Sequence, residues 1–77
     1  MTSEKFYNNE IELFLKKMGD KIKAIRKEKE ISIRELGELC KLDYNILLKI
    51  ESGKEDTDLL TLFNIADKLD VDVRDFM

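Results

Sequence analysis

The sequence contains no histidine, no proline and no tryptophan, and it has a single cysteine, Cys40. Without histidine, zinc sites and histidine-based acid/base chemistry lack their usual residue. One cysteine cannot build an intrachain disulfide framework, and Cys40 falls at an apolar position that suits a buried side chain. Because no nucleophile motif or phosphate-binding loop accompanies the many Asp and Glu residues, we expect neither an enzyme nor a bound metal or cofactor.

Long apolar runs are also absent from the 77 residues. No run approaches the roughly 18 residues of a membrane span, and the first residues lack a signal-peptide pattern, so a cytoplasmic protein without membrane contact is expected. A chain of this length forms one domain with a small core. With no proline, only three glycines and abundant Leu, Ile, Lys and Glu, the composition predicts an all-α fold.

Apolar residues between positions 33 and 52 have the spacing of two short helices that cross steeply over a shared core. These positions are Leu36, Leu39, Cys40, Leu42, Leu47 and Ile50. Only a small residue fits where such helices cross, and Gly37 supplies it. The second helix then has its other face outward, in the position of a recognition helix. The spacing therefore predicts a helix-turn-helix and favours a DNA-binding function.

Capping residues mark both helices of this motif. Ser32 and Glu35 have the spacing of a capping box, in which each side chain accepts from the backbone amide of the other, so the first helix begins directly after Ser32. Asp43 suits the N-cap of a second helix over residues 44–52, and Gly53 suits its left-handed end.

Three further helices complete the predicted domain. The periodicity of Ile22 and Ile25 predicts a helix before the motif, from about Met18. Asp58 and Asp72 suit the N-caps of a fourth helix and of a short last helix. The predicted inner face of the fourth helix comprises Leu59, Leu62, Phe63, Ala66 and Leu69. Five helices are therefore expected.

Residues 1–17 are additional to this plan and are predicted to form an amino-terminal arm, partly helical, in front of a helix-turn-helix domain at residues 18–77. Tyr7, Ile11, either Phe14 or Leu15, and Met18 continue the helical apolar stripe backwards from Ile22 into the arm. An apolar arm on so small a domain needs burial, either against its own core or against a second copy of the chain. The sequence leaves both alternatives open.

The net charge of −3 is unevenly distributed along the chain. Residues 16–30 contain seven basic and three acidic side chains, a local charge of +4, whereas residues 55–77 contain two basic and seven acidic side chains, a local charge of −5. Residues 32–54 are neutral. Because the distribution of charge matters more for DNA binding than its sum, the acidic total does not exclude a nucleic-acid partner.

The chain resembles the Cro/CI-type, or xenobiotic-response-element-like, helix-turn-helix regulators over residues 18–77. The resemblance is carried by Gly19, Ile22, Arg26, Ser32, Leu36, Leu39, Ile50-Glu51-Ser52-Gly53-Lys54, Leu59, Leu62, Ile65-Ala66, Leu69 and Val71. It implies an all-α, five-helix, lambda-repressor-like DNA-binding domain. In such a domain the third helix enters the major groove of double-stranded operator DNA, usually as part of a homodimer. The leading hypothesis is therefore a sequence-specific transcriptional repressor.

The resemblance also implies roles for individual residues. By position, Tyr44, Asn45 and Lys49 are expected to read bases. Asn45 can pair with an adenine edge, Lys49 can donate to guanine acceptors, and Tyr44 can contact a thymine methyl group or a phosphate. Further DNA contacts are expected at Ile33, Arg34, Lys41 and Lys54. Arg26 and Glu51 match positions that form a buried, structural ion pair in the family.

Some positions depart from the family pattern. Ile33 replaces a glutamine that commonly grips a phosphate, which leaves only the backbone amide of Ile33 as a donor. Glu30 and Lys41 stand at turns where relatives commonly have glycine, so a left-handed backbone with a strain of about 1 kcal/mol is expected at each. Glu55 and Asp56 place negative charge beside the expected path of the DNA.

A second hypothesis is a protein-interaction module on the same fold, of the antitoxin, antirepressor or controller kind, with weak or no DNA binding. It rests on Ile46 and Leu48, which are apolar where relatives usually have polar side chains. One contiguous exposed patch that joins these residues to Ile11, Phe14 and Leu15 would favour a protein partner. Scattered positions would favour DNA.

Overall fold

Helices make up most of the protein, whose computed structural model describes residues 2–77 and the side chains from Asn9 onward. The side chains of the first eight residues of the predicted arm, including Tyr7 of the predicted apolar stripe, lie outside this description. The elements are α1 (Thr2–Glu28), α2 (Ile33–Cys40), α3 (Tyr44–Glu51), α4 (Leu59–Leu69) and a 3-10 helix (Val73–Phe76). The prediction of an all-α fold is confirmed. No helix in the described chain is long and apolar enough to cross a membrane.

The last predicted helix is a single 3-10 turn, so the prediction of five α-helices is wrong. The amide of Asp75 donates to the carbonyl oxygen of Asp72, and the amide of Met77 donates to that of Arg74. These are i→i+3 hydrogen bonds, the pattern that short helical pieces adopt because four residues cannot build an i→i+4 ladder. Phe76, which is 1% exposed, anchors the turn in the core.

The first helix, α1, runs without a break from Thr2 to Glu28, instead of beginning near Met18. No proline interrupts it, and Gly19 stays helical. After α1 the chain reverses direction through Glu30, whose φ of 60° confirms the left-handed residue expected there. The predicted arm and the predicted first helix of the domain therefore form one continuous α-helix.

The core lies where α1, the α2–α3 pair, α4 and the 3-10 helix meet. Its buried apolar members are Met18, Ile22, Leu36, Cys40, Leu47, Ile50, Leu62, Ile65, Ala66, Leu69 and Phe76. Burial of one large apolar side chain contributes roughly 1.5–3 kcal/mol, so this single cluster is the main favourable term in folding. A hydrogen bond also joins α4 to α2, because the side-chain amide of Asn64 donates to the carbonyl oxygen of Cys40 at 2.9 Å.

Three residues predicted to face the core are exposed instead. Leu39 is 47% exposed, Leu59 is 56% exposed and Phe63 is 49% exposed. The buried residues are Leu36, Gly37 and Cys40 in α2, and Leu62, Ile65, Ala66 and Leu69 in α4, which in each helix is a narrow stripe. The three residues therefore fall on the flanks of their helices, and the periodicity overestimated the width of the inner face.

The predicted helix caps are confirmed. The hydroxyl of Ser32 accepts from the amide of Glu35 at 3.0 Å, and the Glu35 carboxylate accepts from the amide of Ser32 at 2.8 Å, which completes the capping box. The Asp43 carboxylate accepts from the amide of Asn45 at 2.7 Å, and Asp58 caps α4 in a similar way. Caps of this kind contribute about 1 kcal/mol each and fix where the short helices begin.

Candidate nucleic-acid interface

A tight turn joins α2 to α3 as a helix-turn-helix. Lys41 ends α2 with a φ of 57°, the left-handed conformation expected there, and the amide of Leu42 donates to the carbonyl oxygen of Gly37 at 2.9 Å. A Cβ on Gly37 would lie 3.1 Å from the carbonyl oxygen of Leu42. The small residue therefore lets the turn fold back closely on α2 and sets the crossing of the two helices.

The third helix, α3, has two faces of different character. Leu47, Ile50 and Glu51 are buried on its inner side. Because a helix turns by about 100° per residue, Asn45 and Lys49 fall on the opposite side, one turn apart, and both are exposed. Their amide and ammonium groups form an outward stripe of the chemistry that recognises base edges.

Arg34 of α2 and Tyr44 of α3 are in direct contact. The guanidinium carbon of Arg34 lies 4.7 Å from the centroid of the Tyr44 ring, a cation–π geometry worth roughly 0.5–1 kcal/mol at an exposed site. Both side chains line a shallow groove together with Lys41. The structure thus brings three of the predicted site residues together and places two cations beside the first turn of α3.

The amino end of α2 offers backbone donors in place of a polar side chain. Ile33 is half-buried and packs against the core, which removes its side chain from any role in phosphate binding. The hydroxyl of Ser32 accepts from the amide of Glu35. The amides of Ile33 and Arg34 lie in the first turn of α2, where the helix itself provides no carbonyl acceptor for them. The hydrogen bond from the Ser32 amide holds the pKa of the Glu35 carboxyl below its usual value, so one negative charge stays close to these donors.

A buried ion pair joins α1 to α3. Arg26 donates from Nε to Oε2 of Glu51 at 2.7 Å and from Nη2 to Oε1 at 3.0 Å, a bidentate contact. A third donor, Nη1, reaches the carbonyl oxygen of Ile31 at 2.8 Å. Arg26 is 8% exposed and Glu51 is 4% exposed. Because Asn45 and Lys49 lie on the far side of the same helix, this pair fixes the rotation of the outward stripe relative to α1.

The loop after α3 carries charges of both signs. Gly53 has a φ of 77° and packs so closely on α1 that a Cβ there would lie 2.7 Å from the Cα of Lys16. Lys54 follows and is exposed, Glu55 is half-buried and Asp56 is exposed. The lysine predicted to contact the DNA backbone and the carboxylates that oppose it therefore occupy one loop.

Ile46 and Leu48 do not form a joint surface on α3. They are two residues apart, which separates them by about 200° around the helix. Ile46 packs against the core, whereas Leu48 is 41% exposed and borders Ile33 in a shallow groove. The contiguous patch that would favour a protein partner is absent from α3.

The predicted partner residues of α1 are only partly available. Phe14 is 51% exposed, while Ile11 and Leu15 are half-buried and Leu15 packs against the core. Leu13, which the sequence reasoning missed, is 57% exposed. Three consecutive apolar residues point in three directions around a helix, so the run at 13–15 already indicated that not all of them can face the core.

Two other features were missed by the sequence reasoning. Leu60 is 80% exposed. The periodicity of α4 predicted which residues face the core, Leu59 among them, and gave no prediction for Leu60. The contact between Arg34 and Tyr44 joins two helices across a turn, and no local pattern in the sequence indicates it.

Nucleophilic and metal chemistry find no support in the described part of the chain. Cys40 is buried, and burial raises the pKa of its thiol, so it remains a protonated core residue. Among the described residues, no group of three or more Cys, Asp and Glu side chains is placed to hold a metal ion.

Comparisons with known proteins agree with this geometry. The family Helix-turn-helix (HTH_3) matches residues 22–76. No curated protein matches the chain closely enough to count as a relative. Among solved structures, the restriction-modification controller protein C.AhdI from Aeromonas hydrophila has a TM-score of 0.80 and 27% identity, over 82% of this chain and 96% of that chain. The fold is thereby lambda-repressor-like.

Two regulators share the fold at lower identity. The clp gene regulator ClgR from Corynebacterium glutamicum has a TM-score of 0.80 and 22% identity, over 82% of this chain and 67% of that chain. An HTH_3 family transcriptional regulator from Vibrio cholerae has a TM-score of 0.80 and 24% identity, over 86% of this chain and 37% of that chain. At these identities the likeness concerns the fold alone.

Proposed function

The chain belongs to the helix-turn-helix family of DNA-binding transcription regulators, which are not enzymes, and from this premise we propose that it is a sequence-specific repressor. It binds double-stranded operator DNA with α3 in the major groove and represses by blocking polymerase. The observation that carries the proposal is the outward stripe of Asn45 and Lys49 on α3. The buried ion pair of Arg26 and Glu51 holds the opposite side of α3 against α1 and so fixes the orientation of that stripe.

In this proposal the outward residues of α3 read bases. Asn45 donates to and accepts from an adenine edge, and Lys49 donates to the acceptors of a guanine. Tyr44 is half-buried at the start of α3, and the guanidinium of Arg34 stacks on its ring. These contacts hold the Tyr44 side chain in position to contact a thymine methyl group or a phosphate. Base contacts of this kind specify the sequence.

The remaining predicted residues position the protein on the DNA backbone. Arg34 and Lys41 flank the first turn of α3, and Lys54 is exposed just beyond its end. The amide of Ile33 at the start of α2 serves as a phosphate donor, as the amino terminus of a helix can, although the charge of the nearby Glu35 carboxylate opposes an anion there. These contacts contribute affinity without sequence preference and weaken as salt rises.

We further propose that the active species is a homodimer on a palindromic operator. In a two-fold arrangement the recognition helices lie about 34 Å apart, one turn of B-DNA, or a multiple of that.

A protein-interaction module remains the second candidate function. The exposure of Leu48 beside Ile33 supports it, and the packing of Ile46 against the core weakens it.

Base reading predicts that Asn45→Ala and Lys49→Ala each weaken binding to the preferred duplex by roughly 1–3 kcal/mol, with little effect on random duplex. The preferred duplex is obtained by selection from a randomised pool with the wild-type protein. Affinities are measured by fluorescence anisotropy at several salt concentrations. Lys54→Ala is the matched control, because loss of a phosphate contact should weaken both duplexes alike and reduce the salt slope by about one.

Equal losses on the preferred and the random duplex for both Asn45→Ala and Lys49→Ala would refute base reading by α3. All three substituted side chains are exposed, so the free energy of unfolding of each variant should stay within about 0.5 kcal/mol of the wild-type value. That measurement separates a lost DNA contact from a lost fold.

A further inference from the structure

The amino-terminal half of α1 carries an apolar surface that the domain itself does not cover. Leu13 is 57% exposed and Phe14 is 51% exposed, whereas Leu15 and Met18 turn toward the core. The family match begins at residue 22, so this surface lies in front of the segment common to the family. Two adjacent large hydrophobes at this level of exposure suit an interface.

Charged residues bracket this apolar pair in a symmetric way. The α1 face, as we call it, comprises Glu10, Leu13, Phe14 and Lys17, all exposed. At about 100° per residue the four side chains fall within one sector of the helix, on the side away from Leu15. Lys21 follows one turn later in the same sector, and its ammonium group donates to the carbonyl oxygen of Met77. Glu10 lies one turn before the apolar pair and Lys17 one turn after it, so opposite charges stand at roughly equal distances of about 5 Å along the axis from its centre.

We propose that the α1 face binds the α1 face of a second copy of this chain, with the two helices antiparallel. A two-fold axis through the midpoint between Leu13 and Phe14 places Glu10 of each copy opposite Lys17 of the other. The apolar pairs then pack against each other at the crossing, at the 8–10 Å separation typical of helix pairs. The inference rests on the homodimer part of the proposed function and names its surface.

The charge pattern favours a second copy in this orientation over other arrangements. A parallel pair would place Glu10 against Glu10 and Lys17 against Lys17, and like charges in such positions are destabilising. In the antiparallel pair both contacts join opposite charges. The α1 face is therefore complementary to itself, which is the property that a two-fold interface requires.

A second exposed apolar surface, on α4, lacks this complementarity. It consists of Leu59, Leu60 and Phe63. Asp56 and Asp58 directly precede α4, Asp67 lies one turn after Phe63, and all three are exposed. Lys68, the next residue along α4, already contacts Asp67 at 3.3 Å. A two-fold pairing through α4 would bring acidic rims together, so α4 serves as the competing surface in the test.

The test measures the dimer dissociation constant of the full chain, without DNA, by sedimentation equilibrium at low salt. Phe14→Lys is expected to weaken self-association roughly 100-fold, because it removes an apolar anchor and places like charges at the crossing. Lys17→Glu is expected to weaken it roughly tenfold, since two symmetric contacts become repulsive. The double variant Glu10→Lys/Lys17→Glu restores both contacts and should return the constant to within about threefold of the wild type.

Leu60→Lys on α4 is the matched control and should leave the dissociation constant unchanged. If Leu60→Lys separates the subunits and Phe14→Lys does not, the inference is overturned while the proposed homodimer stands. Failure of the double variant to recover the affinity lost in Lys17→Glu overturns the antiparallel pairing. A wild-type chain that stays monomeric at roughly millimolar concentration overturns both the interface and the homodimer, whereas the substitutions in α3 still test DNA binding on their own.

Discussion

Glu51→Ala should lower the free energy of unfolding by about 3–5 kcal/mol, because it leaves the guanidinium of Arg26 buried without its partner. Arg26 is 8% exposed and gives two of its donors to Glu51, so removal of the carboxylate leaves a largely buried charge without the protein acceptors of those two hydrogen bonds. Urea denaturation followed by circular dichroism measures the change. In a domain with one small core, a loss of this size is a large fraction of the total stability.

The exposed ion pair between Arg74 and Asp72 provides the control for this prediction. Nη2 of Arg74 lies 2.8 Å from Oδ2 of Asp72, but the Arg74 side chain is 85% exposed, so Arg74→Ala should leave the free energy of unfolding almost unchanged. The double variant Arg26→Met/Glu51→Leu should recover most of the stability, since apolar side chains of similar size can replace a buried pair. A Glu51→Ala variant no less stable than Arg74→Ala would contradict a structural role for the buried pair.

Gly19→Ala should destabilise the protein by roughly 1–3 kcal/mol, although alanine is the better helix former by about 1 kcal/mol. The new Cβ would meet the carbonyl oxygens of Ile50 and Glu51, the second at 2.6 Å. Backbone atoms cannot swing aside as a flexible side chain can, so α1 and the end of α3 must move apart. Thermal unfolding measures the stability, and the anisotropy assay measures the expected loss of affinity for the preferred duplex.

Gly37→Ala is the comparison for Gly19→Ala. Its Cβ would lie 3.1 Å from the carbonyl oxygen of Leu42, a tighter contact than usual but a milder one than at Gly19. The expected order of destabilisation is therefore Gly19→Ala above Gly37→Ala. Stabilisation by Gly19→Ala, as helix propensity alone would give, would show that the end of α3 leaves room for a Cβ at position 19 of α1.

The parts of the fold that depend on local chemistry could be predicted from the sequence. The capping box of Ser32 and Glu35, the cap at Asp43 and the left-handed turns at Glu30 and Lys41 each depend on a few adjacent residues, and each was found where expected. The place of the helix-turn-helix followed from these signals. The resemblance to a family then added expectations about the third helix that periodicity alone does not supply.

The parts that depend on distant neighbours were not predictable in the same way. Leu39 and Phe63 were expected to face the core and are exposed, because helical periodicity gives the direction of a side chain but not whether another helix covers it. The buried pair of Arg26 and Glu51 joins residues 25 positions apart, and it was expected only through the family resemblance. The contact between Arg34 and Tyr44 became visible only in three dimensions.

The central claim, that this chain is a DNA-binding repressor, is tested most directly by its affinity for DNA upstream of its own gene. The wild-type protein is titrated against that fragment and against random duplex at several salt concentrations. We expect preferential binding to the upstream fragment that weakens as salt rises, because α3 reads bases while basic residues contact phosphates. A folded protein that binds neither duplex, even at low salt, would contradict the claim and direct attention to the exposed Leu48.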